Sequence, residues 1–188
     1  MPLSKAAPRR HLHTREVVCR GYERDDGLWD IEATLTDSKS YSMPNQDRGG
    51  IAAGEALHGM AIRLTVDDDL VVRAVEAVTD HSPFTQCPAA TPAYERLVGS
   101  SVGAGWRKAV TAAVGGVQGC THLTDVLLGP LAVATLHTVH GGKALRRREA
   151  GEEEAPATRR PGIIDTCHAL ASDGPVVKRE WPAFHTGT

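Results

Sequence analysis

Leu28-Trp29-Asp30-Ile31-Glu32-Ala33-Thr34-Leu35, residues 28–35, carries the cleanest period in the chain. Trp29, Ile31, Ala33 and Leu35 are apolar and alternate with Asp30, Glu32 and Thr34, the period of two that marks a strand buried on one face. Upstream, Val17, Val18 and Tyr22 belong to a second such run, and the join Arg24-Asp25-Asp26-Gly27 offers the Asp-Gly step of a tight hairpin. Downstream, Met60, Ile62, Leu64 and Val66 alternate with Ala61, Arg63 and Thr65, and Asp67, Asp68 and Asp69 turn the chain into a run from Leu70 to Val78. Two hairpins therefore form an antiparallel sheet, and its apolar face has to be covered.

The cover comes from the C-terminal half. Pro92 opens a short helix over residues 93–98 that Gly99 stops, and Trp106, Val110, Ala113 and Val114 lie on one helical stripe before Gly115-Gly116. A last helix spans residues 121–140, with Leu123, Val126, Leu127, Leu131 and Ala134 on its buried side and a kink at Pro130. Strands first and helices after them make an α+β fold, an antiparallel sheet of two hairpins covered on one face by helices.

At 188 residues, 41% hydrophobic and 23% charged, the chain has the size and composition of one globular domain. The organisation read from the pattern is a basic arm (residues 1–12), the core domain (13–141), a charged linker (142–161) and a C-terminal arm (162–188). In that arm, residues 163–168 and 175–177 read as a strand pair or a docking segment, which Ile163, Ile164, Val176, Val177 and Trp181 give enough apolar surface to order. Residues 38–55 are rich in Ser, Asn, Asp, Gly and Pro and read as a loop or mobile flap.

Twenty-one Lys and Arg against twenty-three Asp and Glu leave a net charge of −2, no field for a nucleic-acid backbone. The longest apolar stretch, residues 123–136, is interrupted by Asp125, Gly129 and Pro130 and is too short to cross a membrane. The basic N-terminus has no apolar segment after Arg9-Arg10, so a cytoplasmic location is expected, with Cys19, Cys87, Cys120 and Cys167 as thiols.

The sharpest chemical feature is Gly119-Cys120-Thr121-His122-Leu123 at a helix start, where unpaired N–H groups and the helix dipole favour a thiolate. His58 enters one strand and Cys87 lies in the loop leaving the next, and an antiparallel hairpin brings those ends to one edge. A helix N-terminus over that edge adds Cys120 and His122. His58, Cys87, Cys120 and His122, with His81 as a spare, are thus the expected ligands of a zinc or iron ion. Asp30 and Glu32 share the polar face of the Trp29 strand, and Asp30 joins Cys120 as a candidate catalytic group. Cys167 and His168 are adjacent in the arm, and docking of the arm could bring one of them to the rim of the site. No phosphate-binding loop, Gly-x-Ser-x-Gly elbow, His-Glu-x-x-His or Cys-x-x-Cys occurs.

The strings His13-Thr14-Arg15, Gly21-Tyr22, Arg24 to Ile31, Gly54 with His58-Gly59-Met60, Leu97-Val98-Gly99, Gly105-Trp106 and Gly119 to Leu123 resemble a bacterial family known as domain of unknown function 2889. A more distant similarity, over residues 57–136, is to iron–sulfur scaffold proteins of the NifU type, whose ligand order His58, Cys87 and Cys120 follow. A set of two Cys and two His suits zinc or mononuclear iron better than an all-thiolate iron–sulfur cluster. Two classes of function follow. One is a metal-binding module that meets a protein partner through residues 38–55 and the C-terminal arm. The other is a metal-dependent or thiol-dependent enzyme acting on a small molecule.

Overall fold

The computed structural model describes residues 3–152 and 157–187, which leaves residues 153–156 of the expected linker outside it. The chain divides into two compact units, residues 1–144 and 145–188, and each is described by itself.

The first unit is the α+β domain. Strands β1 (His13–Glu23), β2 (Trp29–Lys39), β3 (Ala56–Val66) and β4 (Val72–His81) form one antiparallel sheet in the order β1-β2-β3-β4. The period of two read in β2 fixes its faces: Trp29, Ile31, Ala33 and Leu35 are all buried and stand opposite Val66, Leu64, Ile62 and Met60 of β3. These four pairs line the inner face, and the helices cover it. Helix α1 (Trp106–Val114) buries Trp106, Val110 and Val114, one residue per turn, and the Trp106 indole N–H donates to the Leu127 carbonyl at 2.9 Å. Helix α2 (Thr121–Leu128) buries Leu123, Val126 and Leu127.

The expected kink at Pro130 is a full break. Gly129 leaves helical geometry (φ −121, ψ −97) and α3 starts afresh at Pro130, running to Glu149. Residues 142–149 are therefore helical where the charges point to a linker. Ala, Leu, Lys and Arg are strong helix formers, and Arg146, Arg147 and Arg148 complement the negative end of the helix. Gly142 lets this helix pass close to the core: a β-carbon there would stand 2.3 Å from the Trp29 ring.

The short helix expected at residues 93–98 is a longer 3-10 segment, Cys87–Leu97. Pro92 stands inside this segment and lacks the N–H that a continuous α-helical ladder would need there. Residues 38–55 form a pinned loop: Met43 bridges Ile51, which is buried, Asn45 donates to the Pro83 carbonyl at 2.9 Å, and the Thr85 amide donates to Asp47 at 2.8 Å.

In the second unit the expected strand pair is absent among the described residues. Pro175 starts helix α4 (Pro175–Glu180) in place of a strand, the position where a fixed φ and a missing donor cost least. Asp165 turns the chain with φ +67, and its carboxylate accepts from the Ser172 amide at 2.7 Å. Cys167 and His168 lie at a 3-10 turn over residues 168–170. No helix among the described residues is long and apolar enough to cross a membrane.

Candidate metal centre

The alternation that buries Trp29, Ile31, Ala33 and Leu35 continues one step further to Asp37, and that on β3 runs back one step from Met60 to His58. Asp37 and His58 face each other across the two strands, and Arg15 of β1 is the partner of Asp37 on the other side. Arg15, Asp37 and His58 thus form a charged row at the end of an apolar face. Register irregularities at Asp37/Ser38 and Gly59/Met60 flank the row. Such bulges commonly re-aim side chains beside a site.

Asp37 is 1% exposed, yet all four of its lone-pair positions are used. Arg15 binds it in bidentate fashion, Nε to Oδ1 at 2.8 Å and Nη2 to Oδ2 at 2.7 Å. His13 Nε2 donates to Oδ1 and His58 Nδ1 to Oδ2, each at 3.0 Å. Burial pushes the carboxyl up, but Arg15, with His13 and His58 added, outweighs it and holds Asp37 well below the usual carboxylate range.

The first turn of α2 closes over this row. His122 stacks on His58 with ring centroids 3.8 Å apart, and its Nε2 lies 3.9 Å from Asp37 Oδ2. Burial pushes both imidazoles below their ordinary value, with His122 adding to the shift at His58 and Arg15 to that at His122. Both rings are therefore neutral at pH 7, the state that a metal ligand or a general base requires. The other nitrogen of His122, Nδ1, lies 3.7 Å from Cys120 Sγ, which also touches Met60 Sδ at 3.9 Å. Tyr94 fixes the start of the helix: its hydroxyl accepts from the Cys120 amide at 3.0 Å and donates to the Cys120 carbonyl at 2.9 Å.

One donor atom each from Asp37, His58 and His122 lie within 4.8 Å of one another. Bonds of about 2.0–2.2 Å to an ion put neighbouring donors roughly 3–4 Å apart, and the 3.9 Å from His122 Nε2 to Asp37 Oδ2 falls in that range; an ion here would take the place of the proton that His58 Nδ1 now shares with Oδ2 at 3.0 Å. Of the residues singled out in the sequence, His58 and His122 come together and Cys120 stands behind His122. Cys87 opens the 3-10 segment and is not part of this group. His81 ends β4 with its ring against Gly59, also outside it. Asp30 is on the opposite face of the sheet, accepting from Thr65 Oγ1 at 2.6 Å and paired with Arg24. The residues missed are Asp37, Arg15 and His13.

The family model described as protein of unknown function (DUF2889) matches residues 13–137, which run from the first residue of β1 into α3. The chain belongs to this family. The DUF2889 span contains the whole cluster, His13, Arg15, Asp37, His58, Cys120 and His122. No curated protein and no solved structure gives a significant match. None of these findings shows the similarity to NifU-type scaffolds.

Proposed function

We propose that this DUF2889 protein binds one zinc or iron ion through Asp37, His58 and His122. The observation that supports it is the meeting of two neutral imidazoles and a buried carboxylate from three separate elements. Two His and one carboxylate form the donor set of mononuclear zinc and non-haem iron(II) sites, whereas an iron–sulfur cluster wants thiolates. Arg15 and His13 hold Asp37 from behind, and Cys120 adjoins the far nitrogen of His122. Outer contacts of this kind fix ligand orientation in metal sites.

An ion with three protein donors keeps open positions, so the reading extends to metal-dependent chemistry on a small molecule rather than carriage alone. The ion would supply Lewis acidity or a bound water of lowered pKa. The four unpaired cysteines suit a reducing, cytoplasmic setting.

Elemental analysis of protein purified without a polyhistidine tag tests the proposal. About one zinc or iron per chain is expected for a single three-ligand site, falling to background in His122→Ala. Folded wild-type protein that stays free of metal when offered zinc or iron(II) overturns it.

One observation favours a second reading, thiol catalysis. Cys120 Sγ lies 3.7 Å from His122 Nδ1, and Asp37 Oδ2 lies 3.9 Å from His122 Nε2, the order nucleophile, base, orienting group. Rapid labelling of Cys120 by iodoacetamide near neutral pH in metal-free, folded protein supports it, and slow labelling removes it.

A further inference from the structure

We propose that the open edge of β1 docks the same edge of a second copy of this chain, making one continuous antiparallel sheet of eight strands. The two edges of the sheet are not alike. Along β4, Val72 exchanges backbone hydrogen bonds with Gly99 and Ser100, and Val71 bridges Ser101, so the start of that edge is covered. Along β1, no backbone group from Thr14 to Tyr22 bonds anything but β2 among the described residues. A long strand with one edge unpaired is a template for another strand.

The sequence of β1 says which strand fits. His13–Glu23 has Val18 at its centre, and a two-fold axis there pairs Val18 with itself and leaves no overhang. Glu16 then faces Arg20 of the second copy, and Arg20 faces its Glu16. Neither residue has an ion-pair or hydrogen-bond partner within the chain among the described residues, and both are exposed. On the other face of the strand Val17 meets Cys19, and Arg15 meets Gly21, over which the uncharged Thr138 side chain of α3 lies. No like charges meet anywhere along the strand.

The existing sheet extends the argument. On the outer face Arg20, Glu32, Arg63 and Glu76 form one row across the four strands, and Arg63 bonds both Glu32 (2.8 Å) and Glu76 (2.7 Å). Glu16 of a second copy continues the alternation of sign beyond Arg20. Val18, 42% exposed, gains the Val18 of the second copy as a neighbour in the next row. Charged residues on a lone edge strand can also serve to keep other strands away. That purpose needs no particular spacing, whereas this spacing is self-complementary about Val18. Directly opposed pairs of opposite charge stabilise a sheet and like pairs destabilise it.

Sedimentation velocity on the full chain, at about 10–200 μM as suits a small and partly polar interface, should give a dimer. Glu16→Arg and Arg20→Glu each create two like-charge pairs, and each alone should weaken the dimer at least about tenfold. An equimolar mixture of the two variants restores both opposite pairs, so it should form a heterodimer as tight as the wild type. Circular dichroism checks that both variants stay folded, and metal-free protein should dimerise equally, since the ligands Asp37, His58 and His122 all lie off β1. A wild-type monomer over the whole range overturns the proposal. So do variants that dimerise like the wild type, or folded variants whose mixture stays monomeric.

Discussion

The two ends of the sheet's inner face are built on the same strands with the same period, and they hold together by different means. At one end Trp29 packs with Val66 and Ile31 with Leu64, all buried. Burial there stabilises without directing: about 1.5–3 kcal/mol for each large side chain, whatever its neighbours. At the other end the same face carries Arg15, Asp37, His58 and, from above, His122. Nothing is gained there by burial alone, since an unpaired carboxylate under a helix would cost several kcal/mol and Asp37 persists only because four donors surround it. A fold that needed only a core would have continued the apolar row. The charged row marks where ion pairs and hydrogen bonds take the place of apolar packing.

The sharpest break of this contrast is at the apolar end. Trp29→Ala removes the ring on which α3 lies and should destabilise the domain by about 4 kcal/mol in urea denaturation. The same variant should still take up metal when folded, because the site is at the far end of the strand. Asp37→Asn should cost about 3 kcal/mol, the low end for breaking a buried ion pair because Arg15 is partly exposed, and should abolish metal uptake.

A pH series on metal-free protein comes next in size. Asp37, His58 and His122 all have folded-state values below their ordinary ones, so the unfolded chain binds more protons and stability rises with pH. The two histidines withdraw their part as pH falls below about 6.5. Asp37 withdraws its part below about 4, through its depressed folded value. Urea midpoints from pH 8 to pH 3 should therefore fall in two stages, and Asp37→Asn should lose the second. The smallest effect is expected on the outer face, where Glu76→Gln breaks one exposed contact to Arg63 and should change stability by less than about 0.5 kcal/mol.

Most of the sheet was legible from its period, and so was part of the site. The alternation 29, 31, 33, 35 reaches 37 at its next step, and 66, 64, 62, 60 reaches 58, so the same rule that places Trp29 inside also places Asp37 and His58 inside. Arg15 follows in phase with Val17 and Cys19. Asp30 on the same strand is out of phase with this row and faces outward. Helix α1 kept its expected bounds because its stripe of Trp106, Val110 and Val114 is bounded by glycines. The place of His122 was less accessible, because it depends on how α2 crosses the sheet, and no local period encodes that. The extension of α3 was masked by its charges, which serve a helix end as well as a linker.

The two hydrogen bonds between the Tyr94 hydroxyl and the backbone of Cys120 have a consequence in time rather than energy. The Cys120 amide proton is held by a side chain from the 3-10 segment and by no turn of its own helix, so it can exchange with solvent only when that segment and α2 part. Its hydrogen-exchange rate therefore clocks how often the 3-10 segment lets go of the start of the helix that carries His122.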